Sequence, residues 1–270
     1  MDTNTGSPSN PRLVWLLRIA AAMCFIGHGA FGIITKAGWV PYFAVVGIPE
    51  AWAWMLMPVI GTMDIVMGIL ALVLPHRWLW GWMSIWAVWT ALLRPLSGNS
   101  NWETVERAGN YGVPIALLLL LAFGRPWPSA VKMLRWATVL LLAGHGMLAW
   151  NGKAMLLSHW HALLPMADAL QFTRATGAVE LMLAFLIALE PTATLGFAAC
   201  AWKVATEALF IVAGAPAWEF IERGGSYFAP LVMGLWLLRM KRVTIKSPAL
   251  LKPATVAMVF AVHAARLAQR

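Results

Sequence analysis

The chain has 270 residues, of which 61% are hydrophobic and only 11% charged, with 17 tryptophans, two cysteines and a formal net charge of +9. A water-soluble domain carries about a quarter charged residues, so this composition excludes an ordinary soluble globular protein. The charge does not indicate a nucleic-acid partner, because Arg239, Lys241, Arg242, Lys246, Lys252, Arg266 and Arg270 all follow the last apolar run, the pattern of a cytoplasmic membrane-protein tail.

Residues 1–11 are polar, lack a positive cluster and are expected to be disordered. No cleavable leader is expected, since the first apolar run is long enough to stay as an anchor. Runs approaching ~20 apolar residues follow one another, without the alternation of barrel strands. The expected fold class is all-α: a polytopic transmembrane helix bundle. About eight spans fit, at 12–35, 51–74, 77–97, 111–124, 129–150, 171–190, 194–214 and 226–240. The fourth is short and is expected to extend outward through 103–110. Tight turns occur at Pro75-His76-Arg77 and Glu190-Pro191, whereas 36–50 and 151–170 are long enough to lie at the interface or re-enter. Trp39, Trp78, Trp80, Trp102, Trp127, Trp150 and Trp218 fall near span ends, as interfacial belts require. Residues 241–270 form the basic tail, in which Ala254–Gln269 reads as an amphipathic surface helix. Arg12, Arg18, Arg77, Arg125, Lys132, Arg135 and the tail share one side, which places both termini in the cytoplasm of a bacterial inner membrane.

The chain repeats itself. Arg18, Gly27-His28-Gly29 and Lys36 return 117 residues later as Arg135, Gly144-His145-Gly146 and Lys153. Gly61, Asp64 and Pro75 return 116 residues later as Gly177, Glu180 and Pro191. Trp102-Glu103-x-x-Glu106-Arg107-x-Gly109-x-Tyr111-x-x-Pro114 returns as Trp218-Glu219-x-x-Glu222-Arg223-x-Gly225-x-Tyr227-x-x-Pro230. The chain therefore divides into a first half, 12–124, and a second, 129–240. Each holds an even number of spans, so the copies insert in the same sense, related by an axis along the membrane normal.

Ionisable groups inside a membrane are costly and mark candidate sites. His28, His145, Asp64 and Glu180 are repeat-paired, and each His is expected near the acid of its own half, around a cavity on the extracytoplasmic side. Glycines on both sides of each His admit a neighbouring backbone or a flat ligand. The alternatives for the histidines are packing within each half, a proton or quinone contact, or shared ligation of a metal or haem. The acids could instead pair with Arg18, Arg135 or Arg94. Lys203 and Glu207 share a helix face four residues apart, and their aligned positions are Ala87 and Ala91, so that pair is not symmetric. In the repeated tryptophan motif, Glu103 to Arg107 and Glu219 to Arg223 have i,i+4 spacing. A short extracytoplasmic helix closed by Gly109 or Gly225 explains it; a rim for a headgroup or ligand is the other reading. Cys24 and Cys200 lie in different helices and form no redox motif, and no metal site is expected. His159-Trp160-His161 lacks helical metal-ligand spacing and reads as an interfacial loop.

The order of these landmarks resembles the DoxX-like family of four-helix membrane proteins. Leu17-Arg18 opens the first span, and Gly29 to Lys36 closes it. Then come Phe43-x-x-x-Gly47-Ile48-Pro49, Asp64 to Gly68, and Leu-Pro-x-Arg around Pro75 and Arg77. The similarity covers most of 16–124 and, more loosely, 134–240, where the Phe-x-x-x-Gly-Ile-Pro stretch and the Arg after Pro191 are missing. Family members are associated with quinone-linked respiratory oxidoreductases, so the resemblance implies a quinone as ligand, ranked ahead of haem, and a redox-enzyme partner. A small-solute carrier using a polar site between the halves and a non-catalytic scaffold or assembly factor are the alternatives.

Overall fold

The computed structural model describes residues 10–246, so most of the expected disordered N-terminus and the helix expected at Ala254–Gln269 lie outside the described residues. Within them the chain is helical and has no strand. The helices are α1 Pro11–Ile33, α2 Val40–Val45, α3 Glu50–Val73, α4 Arg77–Leu96, α5 Trp102–Glu106, α6 Ala108–Leu117, α7 Trp127–Trp150, α8 Ala154–Leu163, α9 Ala169–Leu189, α10 Ala193–Val212, α11 Ala217–Glu222 and α12 Gly224–Lys246. Four of these, α1, α3, α9 and α10, are long and apolar enough to cross a membrane. Others of similar length, such as α4 with its five tryptophans, are less hydropathic. Local signals start the helices where they begin. Pro11 sits in the first turn of α1, where no backbone donor is missed. Asp168 caps α9 by accepting from the Leu170 and Gln171 amides at 3.0 and 3.1 Å, and Thr192 caps α10 by accepting from Leu195 at 3.1 Å.

His159-Trp160-His161 lies within helix α8, not in the expected loop. The tryptophan motif starts a short helix, α5, as expected, but α5 breaks at Arg107 before α6 begins, so no single helix runs outward through 103–110.

Helix α1 packs along α3, α7 along α9, and α10 along α12, while α12 also lies against α1 and α6 against α7. Leu17, Trp80, Met83, Leu117, Leu134, Leu142, Ile187 and Met233 are fully buried among them. The outward faces are apolar too: Val59, Val66 and Val73 on α3, and Met182, Phe185 and Leu189 on α9, are exposed. Exposed apolar helix faces of this extent suit contact with a lipid bilayer. Gly109 and Gly225 do not close the short helices. They stand inside α6 and α12, where a Cβ on Gly109 would lie 2.8 Å from the Gly225 carbonyl carbon, so the two backbones touch.

Arg18 and Arg135 do not reach the membrane acids. Arg18 Nε donates to Ala71 O at 2.8 Å and its Nη2 to Leu72 O. Arg135 donates to Ile187 O at 3.1 Å and Ala188 O at 2.8 Å. Each guanidinium thus satisfies carbonyls that the end of α3 or α9 leaves orphaned. Arg135→Ala should lower stability by roughly 1–3 kcal/mol, the cost of stranding such groups. A fall in Tm of the detergent-solubilised protein, with ligand affinity unchanged, is the expected result.

Candidate functional site

The structure brings each histidine to the acid of its own half. His28 Nδ1 lies 2.7 Å from Asp64 Oδ2, and His145 Nδ1 lies 2.7 Å from Glu180 Oε2. Both acids are completely buried. A carboxylate only accepts, so Nδ1 carries the hydrogen and the other ring nitrogen stays free for a further partner. The glycines make this geometry possible. Gly27 lies against the backbone of Glu222 in α11, and Gly144 against the backbone of Glu106 in α5, with no room for a Cβ at either. Each short helix therefore docks on the opposite half's histidine helix, so α11 touches α1 and α5 touches α7.

The repeated tryptophan motif supplies ion pairs, but not all those its spacing suggests. Arg223 pairs with Glu219, as i,i+4 spacing predicts. Arg107 does not pair with Glu103. It bonds Glu222 across the halves at 2.6 Å, with Glu106 at 3.4 Å, because α5 breaks at Arg107 and the side chain turns to the other half. Glu103 is held by Lys153 at 3.1 Å and Arg94 at 3.4 Å, and Glu219 by Lys36 at 2.7 Å. Burial alone would raise the Glu106 carboxyl, but Lys153 and Arg107 hold it down to about 2, so it is ionised at neutral pH. Tyr227 donates to Phe220 O at 2.8 Å, Tyr111 packs against the main core, Trp102 packs by Leu148, and Trp218 is largely exposed.

The membrane-buried acids of the second half belong to a longer chain of contacts. Lys203 Nζ lies 3.1 Å from Glu180 and 2.8 Å from Glu207, and Arg223 Nε lies 2.7 Å from Glu207. All four side chains are buried. Nothing comparable surrounds Asp64, whose Oδ1 is buried without a hydrogen-bond partner among the described residues.

A cavity of about 200 Å³ opens beside the first-half dyad. His28 lines it, stacked on Trp39 with ring centroids 4.4 Å apart. Phe43, Ile48, Trp86 and Trp89 form apolar walls, and Ala87 and Ala91 contribute only methyls on the α4 side. Arg94, Arg107, Asn110 and Glu222 add polar groups, with Arg94 donating to the Tyr42 hydroxyl at 3.4 Å. The Trp86 indole N–H and the Asn110 side-chain carbonyl are buried without hydrogen-bond partners among the described residues. His28 retains 19% side-chain exposure, whereas His145 retains 7%.

Sequence reasoning missed Trp39, Tyr42, Trp86, Trp89 and Asn110. The Phe43-x-x-x-Gly47-Ile48-Pro49 stretch was visible, and it supplies part of the wall. Among the described residues no three His, Cys, Asp or Glu side chains come together as metal donors.

The described residues form an all-helical protein with four helices long and apolar enough to cross a membrane. Comparison with protein-family models, curated proteins and solved structures finds no match to this chain.

Proposed function

We propose that the chain is a DoxX-like protein of the bacterial inner membrane, with about eight spans in two parallel four-helix copies and both termini cytoplasmic. We further propose that it is the quinone-interacting membrane subunit of a redox complex. Support for the duplicated architecture comes from matched contacts: the two His–acid dyads, the two arginine-capped helix ends and the Gly109–Gly225 crossing. The functional reading is carried by the cavity into which His28, backed by Asp64, opens between aromatic walls. A cavity of about 150 Å³ accommodates a benzene ring, so this one suits a single substituted ring.

A quinone bound there supplies the reversible uptake of two electrons and two protons. The protein's residues hold the ring and move a proton. Trp39, Phe43 and Trp86 enclose a flat ring and keep water out. With its Nδ1 tied to Asp64, His28 would take a proton from a ring hydroxyl at its other nitrogen. The imidazolium so formed is stabilised by Asp64 and returns the proton when the cycle reverses. Arg94, on the cavity wall, is a donor for a ring oxygen. Electrons pass to or from a partner redox enzyme.

The carrier and scaffold readings have less support. The Arg107–Glu222 pair and the touching glycines close part of the surface between the halves, where a carrier would bind. A scaffold gives the aromatic-walled cavity beside His28 no purpose.

Titration of the purified protein with ubiquinone-1, followed by tryptophan fluorescence, tests the reading. Saturable quenching is expected. His28→Ala should weaken binding about tenfold or more, the value of one good hydrogen bond. His145→Ala should lower Tm and leave affinity unchanged. Absence of saturable binding, or equal loss in both variants, would contradict the proposal.

A further inference from the structure

The two halves differ most around their dyads. Ala87 and Ala91 line the first-half cavity, and the residues 116 positions on are Lys203 and Glu207. One turn further, Arg94 at the cavity corresponds to Phe210, which packs edge-on against His159 with centroids 4.2 Å apart. Lys203, Glu207 and Phe210 are at most 1% exposed. Burial pushes the His159 imidazole down to about 4, so that it packs there uncharged at neutral pH. The Phe43-x-x-x-Gly47-Ile48-Pro49 motif does not recur in the second half, where helix α8 packs on α9 and α10 instead.

We infer that the chain has one ligand chamber and one sealed copy of it: Lys203, Glu207 and Phe210 occupy, in the second half, the space that a ring-sized ligand takes in the first. This rests on the reading of the first cavity as the ligand site. The same replacement separates the roles of the two dyads. Lys203 pairs with the second oxygen of Glu180, whereas Asp64 keeps an oxygen with no hydrogen-bond partner among the described residues. The dyad at His28 meets the ligand and exchanges protons. The dyad at His145 is a brace, held by buried ion pairs that reach Arg223 and Glu219. One ring ligand binds per chain.

The test uses the full-length protein with Cys200→Ser, so that Cys24, which lines the first cavity, is the sole thiol. Its counterpart 117 positions on is Leu141, also buried. Methyl methanethiosulfonate labelling is read by mass spectrometry, and ubiquinone-1 stoichiometry by titration. Ala87→Lys/Ala91→Glu should slow Cys24 labelling roughly tenfold or more and abolish quinone binding, since a thiol without a cavity reacts only through local opening. Lys203→Ala/Glu207→Ala should make Leu141→Cys label at a rate near that of Cys24 and add a second equivalent of bound quinone. Should that double variant fail to fold, the Ala87→Lys/Ala91→Glu protein decides alone. Cys24 labelling that ignores the added side chains, or Leu141→Cys labelling that ignores their removal, overturns the sealed-copy inference. Labelling that changes as expected while no quinone binds leaves the sealed copy standing and refutes the quinone reading instead.

Discussion

Lys203→Ala should be among the most destabilising single substitutions in the chain. Lys203 is completely buried and lies between Glu180 and Glu207. Without it, Glu207 keeps Arg223, but Glu180 retains only His145 for its negative charge. Removing one partner of a buried ion pair costs about 3–5 kcal/mol, because the other charge stays in a medium that cannot solvate it. A steep fall in Tm and in membrane yield is expected. Lys203→Ala/Glu207→Ala should recover much of the loss, because it recreates the arrangement in which Asp64 already lives beside Ala87 and Ala91. Replacing both long side chains removes the second carboxylate along with the cation. Additive losses in the double variant would contradict the view that the two dyads are interchangeable scaffolds with different surroundings.

Gly27→Val is the second large effect. Helix α11 crosses α1 so closely at this residue that a Cβ would collide with the backbone of Glu222. Overpacking costs about 1–3 kcal/mol where neighbours can turn aside. Backbone cannot, so the cost here should reach or exceed that range. The displacement also carries Glu222 away from Arg107 and opens one wall of the cavity. Loss of stability together with ubiquinone-1 binding is expected. Gly144→Val meets the backbone of Glu106 in the same way and should cost similar stability. A Gly27→Val protein with unaltered Tm would rule out the close α1–α11 contact.

The long helices were legible because an apolar run of span length is a strong signal and its ends carry their own marks. Pro11, Asp168 and Thr192 stand at observed helix starts. The His–acid contacts were legible for another reason: four ionisable residues recurring at offsets of 117 and 116 inside apolar runs are costly unless they meet. The short pieces were not. Helix α8 spans ten residues, too few for its periodicity to stand out from a loop containing two histidines. Glu103 and Arg107 have ideal helical spacing, and only the break at Arg107, with Glu222 waiting across the interface, redirects the pair. A contact between halves leaves no local trace in the chain. The cavity was the hardest feature to read, since it is made by side chains that are absent. Its clue was present in the alignment of Lys203 and Glu207 with Ala87 and Ala91. Read forward, that is an extra ion pair in one half; read backward, it is a space in the other.

The central claim is that a quinone ring sits beside His28. Photolabelling the purified protein with an azido-ubiquinone, followed by peptide mapping, tests it most directly. The account predicts label on peptides of α1 and α4 carrying His28, Trp86 and Trp89, competed away by excess ubiquinone-1 and lost in Ala87→Lys/Ala91→Glu. Label concentrated around His145 and Lys203, or spread over the lipid-facing residues of α3 and α9 without competition, would contradict it.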